Sequence, residues 1–372
     1  MEKTTLPLHF ICTRSSNQSA TRASGRLWPF SSCGSPYSSN FEKDSSSQIS
    51  RAEKMPGTQN NKVYRDVDGV YVSHIFKEFN LRSAMTYKAR PEDVFVVGFP
   101  KCGTTWMQFI IQAIYNDGAT SRDLSEFLQK SPFLEYVGSE AVLASPNGGP
   151  IKTHLQYDKA PFTEQAKYVY ICRNPYDCCV SFYHHTTKFP VYCFEDGTFE
   201  EFLTMFLDGK VDFGDYFDHI LSWYKHRNKP NILWVNYEDL KMDTRSHVLK
   251  IALFLGEPYA TRLLKHPEIM DKILETTSIV TMKGFNSEMR NITLAANSNS
   301  NNDVQRGSER APFNATSTLL QKPMTGDFFR KGVTGDWVNH FTSDQVRRMK
   351  ARIAERTTGT DIFKLWQGLN LP

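Results

Sequence analysis

The stretch Gly98-Phe-Pro-Lys-Cys-Gly-Thr-Thr-Trp106 sets one lysine and two threonines between a β-branched run and a helix-like apolar pattern. Successive backbone N–H groups in such a strand-to-helix turn, with the positive end of a helix dipole behind them, make an anion site. The residue order is not that of a Walker loop, where lysine directly follows the second glycine. Here Thr104 follows Gly103, and the lysine, Lys101, precedes that glycine. Its ammonium therefore meets a different oxygen of the ligand.

Arg173-Asn-Pro-Tyr-Asp-Cys-Cys-Val-Ser181 offers a second anion site. Asn174-Pro175 is a turn signal, and a helix after it returns Ser181 toward an anion held by Arg173. A guanidinium fork matches phosphate oxygens, and the serine adds a hydroxyl donor. Ile151–Leu155 reads as the end of a short strand, and it carries Lys152 and His154. A neutral imidazole there is suited to take a proton from an attacking hydroxyl. No acidic cluster is placed to hold Mg²⁺, so no metal is expected.

These residues need elements to position them. Asp93–Val97, Tyr168–Cys172 and Ile232–Asn236 read as short buried strands. Helical patterns follow over Thr104 to about Ile114, over Asp177–His185 and around Leu249–Phe254, with a C-terminal helix at approximately Ser343–Glu355. Strand–loop–helix repetition predicts an α/β fold, a parallel β-sheet flanked by helices on both faces. Ligands in such folds gather at the carboxyl ends of the strands, where every residue singled out above falls.

The chain of 372 residues carries a formal charge of +4, 13% aromatic residues and seven cysteines without a metal or disulfide spacing. The mild charge speaks against a nucleic-acid surface, and the cysteine pattern fits a reduced, cytoplasmic protein. No apolar run is long enough to span a bilayer, so no membrane association is expected. Residues 1–56, rich in Ser and Arg, read as a disordered extension that shares some character with a transit peptide. Residues 57–372 form the domain, interrupted by an Asn/Ser-rich insert at about 286–322.

PKCGTTW is similar to the 5'-phosphosulfate loop PKSGTTW of the cytosolic sulfotransferases, and the resemblance runs from about Val63 to Trp366. It implies the P-loop-like sulfotransferase fold and the cosubstrate PAPS (3'-phosphoadenosine 5'-phosphosulfate). Lys101, Cys102, Gly103, Thr104 and Thr105 would surround the 5'-phosphosulfate, and Trp106 the adenine. Cys102 replaces the usual serine, which predicts a lost or weakened hydroxyl contact and looser donor binding. RNPYDCCVS resembles the 3'-phosphate loop, giving Arg173 and Ser181. Arg330-Lys331-Gly332, in RKGVTGDW, resembles the segment that completes it, with Phe328 counted at the same site.

Cations for a second phosphate discriminate against ATP. Tyr237 in YED, and Thr277, Ser278 and Met282 in a segment where Ile279 departs from the usual Phe, would approach adenine and ribose. KTHL resembles the catalytic strand, which makes His154 the base, with Lys101 and Lys152 assisting transfer to a hydroxyl or amine of a small phenol, steroid, alcohol or amine. Phe133, Tyr157, Tyr183, Phe189 and Phe194 are expected to line the acceptor pocket. Val338, Thr342-Ser343 and Arg347 depart from the family's dimer segment, so a monomer or a weak homodimer is expected. The alternatives are a binding-only protein of the same fold and an ATP-dependent P-loop phosphotransferase.

Overall fold

The computed structural model describes residues 63–145, 149–291, 322–369 and 371–372. The 1–56 extension and most of the 286–322 insert lie outside the described residues. The insert begins later than expected: Asn286–Met289 form a helical turn. Asn286 is buried and bonds Phe329 through its amide, accepting from N–H at 2.9 Å and donating to the carbonyl at 3.2 Å.

A hairpin, β1 (Tyr64–Val67) and β2 (Val70–Ser73), precedes the main sheet. That sheet contains β3 (Val94–Val97), β4 (Ile151–Thr153), β5 (Lys167–Cys172) and β6 (Ile232–Asn236) in the order β4-β3-β5-β6. All three pairings are parallel. Alternation along the strands divides the core. Phe95, Val97, Tyr168 and Tyr170 enter one apolar cluster, while Val94, Val96, Val169 and Ile171 enter another. Each cluster also holds residues of helices, so both faces of the sheet are covered, as parallel sheets require. Among the described residues no helix is long and apolar enough to cross a membrane.

Two helices start directly below the site. In α1 (Thr104–Tyr115) ten of twelve residues are buried, which anchors the Gly98–Trp106 turn rigidly to the sheet. In α2 (Pro175–Lys188) the Asn174 side chain accepts from Asp177 N–H at 2.9 Å and proline fills the first turn. This Asn-Pro cap begins the helix two residues before the expected Asp177.

Candidate active site

The register sets the four parallel strands to end together: Val97 pairs with Thr153 and Tyr170, and Cys172 pairs with Asn236. The residues that follow them are Gly98, His154, Arg173 and Tyr237. All four strand ends therefore open on one place, a cavity of about 670 Å³.

The Gly98–Trp106 turn forms one wall. Gly103 has φ +105°, and a Cβ there would stand 2.8 Å from the Tyr237 ring, so only glycine lets this ring and the turn meet. The amides of Gly103, Thr104, Thr105 and Trp106 donate to no acceptor among the described residues, as expected of a helix start aimed at an anion. Trp106 donates Nε1–H to Thr277 O at 2.9 Å and meets the Tyr237 ring edge-on. Lys101 extends into the cavity, with Nζ 3.4 Å from His185 Nδ1 and over the Phe328 ring at 4.4 Å.

Arg173 stacks on Tyr237 at 4.5 Å and donates from Nη2 to Val333 O at 2.8 Å. Its Nε is buried without a partner. Arg330 and Lys331 both donate to Asp336 at 2.7 Å, and this pairing holds the Asp336 carboxyl well below the usual range despite partial burial. Asp177 accepts from Gly335 N–H at 2.7 Å and Trp337 N–H at 3.0 Å, which ties the 330–337 segment to α2. Gly332, at φ +63°, packs against Ile279, where a Cβ would be 2.8 Å from the side chain.

His154 is buried, with Nδ1 2.5 Å from Gly98 O. A carbonyl only accepts, so Nδ1 carries the proton and Nε2 keeps its lone pair. Burial, and then the Lys152 charge, push its pKa well below the ordinary value, which keeps the ring neutral. Glu135 accepts from His154 N–H at 2.6 Å and Thr153 Oγ1 at 2.7 Å, fixing the backbone that carries the ring. Lys152 Nζ lies over the Phe133 ring at 4.0 Å. Burial draws Lys101 down to about 7 and Lys152 to about 8; neighbouring cations, Lys152 first, add to the effect at Lys101.

Most of the expected residues come together. Lys101, Gly103, Thr104, Thr105, Trp106, Lys152, His154, Arg173 and Ser181 line the cavity, as do Tyr237, Thr277, Ser278, Met282, Phe328 and Arg330–Gly332. Phe133 and Phe189 line it as well. Cys102 does not. Its side chain is buried in the core with Sγ 3.8 Å from Cys178 Sγ, and its N–H bonds Phe99 O at 3.2 Å. The side chain at the position where the family usually has serine thus packs in the core and not on the cavity.

Tyr157, Tyr183 and Phe194 do not line the cavity either. Tyr157 stacks on His226 at 3.6 Å. Tyr183 lies two positions along α2 from Ser181, about 200° around the helix, and packs on Phe199 and Phe202. Phe194 packs on Phe202. Cavity residues with no sequence signal of their own include Phe76, Tyr136, His185, Tyr192, Asp212 and Phe213. His185 alone was within reach, since it follows Ser181 by one helical turn. Among the described residues, no group of three or more His, Cys, Asp and Glu side chains is placed to hold a metal ion.

Residues 91–314 match the sequence model of the sulfotransferase domain. The chain belongs to the cytosolic sulfotransferase family. It is 30% identical over 298 residues to human sulfotransferase 1C2, covering 76% of this chain and 89% of that one. Mouse sulfotransferase 2B1 is 34% identical over 283 residues, with 75% of each chain covered. The crystal structure of mouse sulfotransferase SULT7A1 complexed with PAP superimposes with a TM-score of 0.61 at 29% identity, covering 82% of this chain and 98% of that one. This family member is accordingly a PAPS-dependent sulfotransferase with the α/β fold expected from its strand–helix alternation.

Proposed function

We propose that the protein moves a sulfuryl group from PAPS to a hydroxyl or amine of a small aromatic or hydrophobic acceptor, with His154 as general base. The observation that carries this is the His154 tautomer: Nδ1–H is spent on Gly98 O, so Nε2 is the basic atom, in the same cavity as Lys101 and Lys152. As the acceptor oxygen bonds to sulfur, its proton passes to His154 Nε2. The bond from sulfur to the 5'-phosphate oxygen breaks, and Lys101 neutralises that oxygen. Lys152 steadies the sulfuryl oxygens. A loose transition state makes charge and position the main contributions.

The rest of the cavity supports this donor. The free amides at Gly103–Trp106 suit the 5'-phosphosulfate, and Arg173, Ser181, Arg330 and Lys331 suit the 3'-phosphate. Arg173 Nε, buried without an acceptor, is a donor that a phosphate oxygen would satisfy. Trp106, Tyr237, Thr277, Ser278 and Met282 suit the adenine and ribose. The retained base and lysines argue against a binding-only protein. With the family we also infer a cytoplasmic location and a monomer or weak homodimer: Val338 is exposed, and Arg347 pairs within its own helix with Asp344. A panel of phenols, steroids, alcohols and amines assayed with PAPS tests the reading. Sulfation that ATP cannot support and His154→Ala abolishes is expected; transfer from ATP would overturn it.

A further inference from the structure

Asp212 is 2% exposed, yet it borders the cavity. Oδ1 accepts from Ser73 N–H at 2.5 Å; Oδ2 accepts from Ser73 Oγ at 3.1 Å and Tyr192 OH at 2.6 Å. All three donors are uncharged. The buried Asp93 and Asp336 carboxylates, by contrast, pair with Arg90, Arg330 and Lys331. Asp212 forms no ion pair with a cation among the described residues. Lys210, two positions earlier, is exposed and lies over the Tyr71 ring at 5.4 Å. A carboxylate so buried normally has a counter-charge. A lone pair on Oδ1 is also left over after its single bond.

The surroundings suit a cation. Phe213, the next residue, places its ring 5.2 Å from the His154 ring and 5.1 Å from that of Phe76, and Tyr192 lines the same cavity. Aromatic faces beside a carboxylate hold an ammonium by charge and by their quadrupoles. Burial raises the Asp212 carboxyl to about 6, and the three donors act against that rise.

We propose that Asp212 is a specificity residue: it holds the ammonium of an amine-bearing acceptor whose nucleophilic hydroxyl lies at His154. The assignment rests on the sulfotransferase reading and names the substrate class within it. Two matched phenols test it, tyramine with an ammonium and para-ethylphenol without one, assayed with PAPS. Wild type is expected to prefer tyramine in kcat/KM by about tenfold to a hundredfold, the range for a charge-assisted bond. Asp212→Asn is expected to bring that ratio close to one. Ser73→Ala, which removes a neutral donor and keeps the charge, should retain it.

A wild-type ratio near one, or an Asp212→Asn ratio equal to wild type, overturns the proposal. Should the asparagine variant not fold, inhibition of wild-type para-ethylphenol turnover decides. Phenethylamine should then compete at least about tenfold better than ethylbenzene, and equal inhibition sinks the idea. Failure of both phenols as acceptors would count against small phenols as the acceptor class, not against the sulfotransferase reading. Binding of the two, followed by tryptophan fluorescence, would still read the preference at Asp212.

Discussion

At the proposed donor end of the cavity, three of the contact segments follow strands directly. Gly98–Trp106 follows β3, Arg173 follows β5 and Tyr237 follows β6, and parallel pairing delivers them to one edge. At the acceptor end, Phe76, Phe133, Phe189, Asp212 and Phe213 come from turns and helix ends far apart in the chain. The donor end is built of amides and tied cations, which hold one fixed charge pattern. The acceptor end is built of ring edges such as the Phe76–Phe133 and Phe76–Phe213 contacts at 5.5 and 5.1 Å. Rings in contact can repack around different substrates, so the proposed donor end holds one charge pattern while the proposed acceptor end leaves room for choice.

His154 joins the two ends, and its loss should have the largest effect. His154→Ala is expected to lower kcat by about a hundredfold to ten-thousandfold while leaving the affinity for adenosine 3',5'-bisphosphate intact by calorimetry. Undiminished kcat would remove the base assignment. Lys101→Ala should follow, with kcat/KM for PAPS down by about a hundredfold or more; if only acceptor KM moved, Lys101 would belong to the other end.

Donor affinity should also depend on pH. Lys101 and Lys152, drawn down to about 7 and about 8, carry charge below those values and lose it above them. An anionic ligand binds the protonated forms, so binding takes up protons. Affinity should be highest near pH 6 and weaken by up to about tenfold per unit for each lysine that titrates. A flat profile in calorimetric titrations would show that neither lysine faces the ligand. His154, held neutral throughout, should not add to this profile.

Smaller effects sharpen the boundary of the donor end. Asp336→Asn frees Arg330 and Lys331 from their shared partner and should weaken bisphosphate binding by roughly tenfold; tighter binding would mean that Asp336 competes with the ligand. Cys102→Ser should change donor affinity least, by less than about twofold, because this side chain packs on Cys178. It should instead lower stability by about 1–3 kcal/mol, the cost of an unpaired buried hydroxyl, read as a fall in Tm. A changed donor affinity at constant Tm would return Cys102 to the cavity.

Local sequence determined much of this protein. Short β-branched runs gave the strands β3, β5 and β6, because a strand buried on both faces reads as continuous apolar sequence. Glycine and Asn-Pro marked the turns, and the displaced lysine distinguished the phosphate loop. These signals span a few residues, as turn and cap chemistry does. The hairpin β1–β2, the orientation of Cys102 and the rotation of Tyr183 out of the cavity lay beyond such signals. Each depends on which neighbour a side chain meets across the fold. Tertiary structure alone decided the acceptor wall, where Asp212 reaches Ser73 across 139 positions and Phe213 meets His154. Loops of irregular backbone carry no period from which a facing direction can be read, so only packing sets what they present.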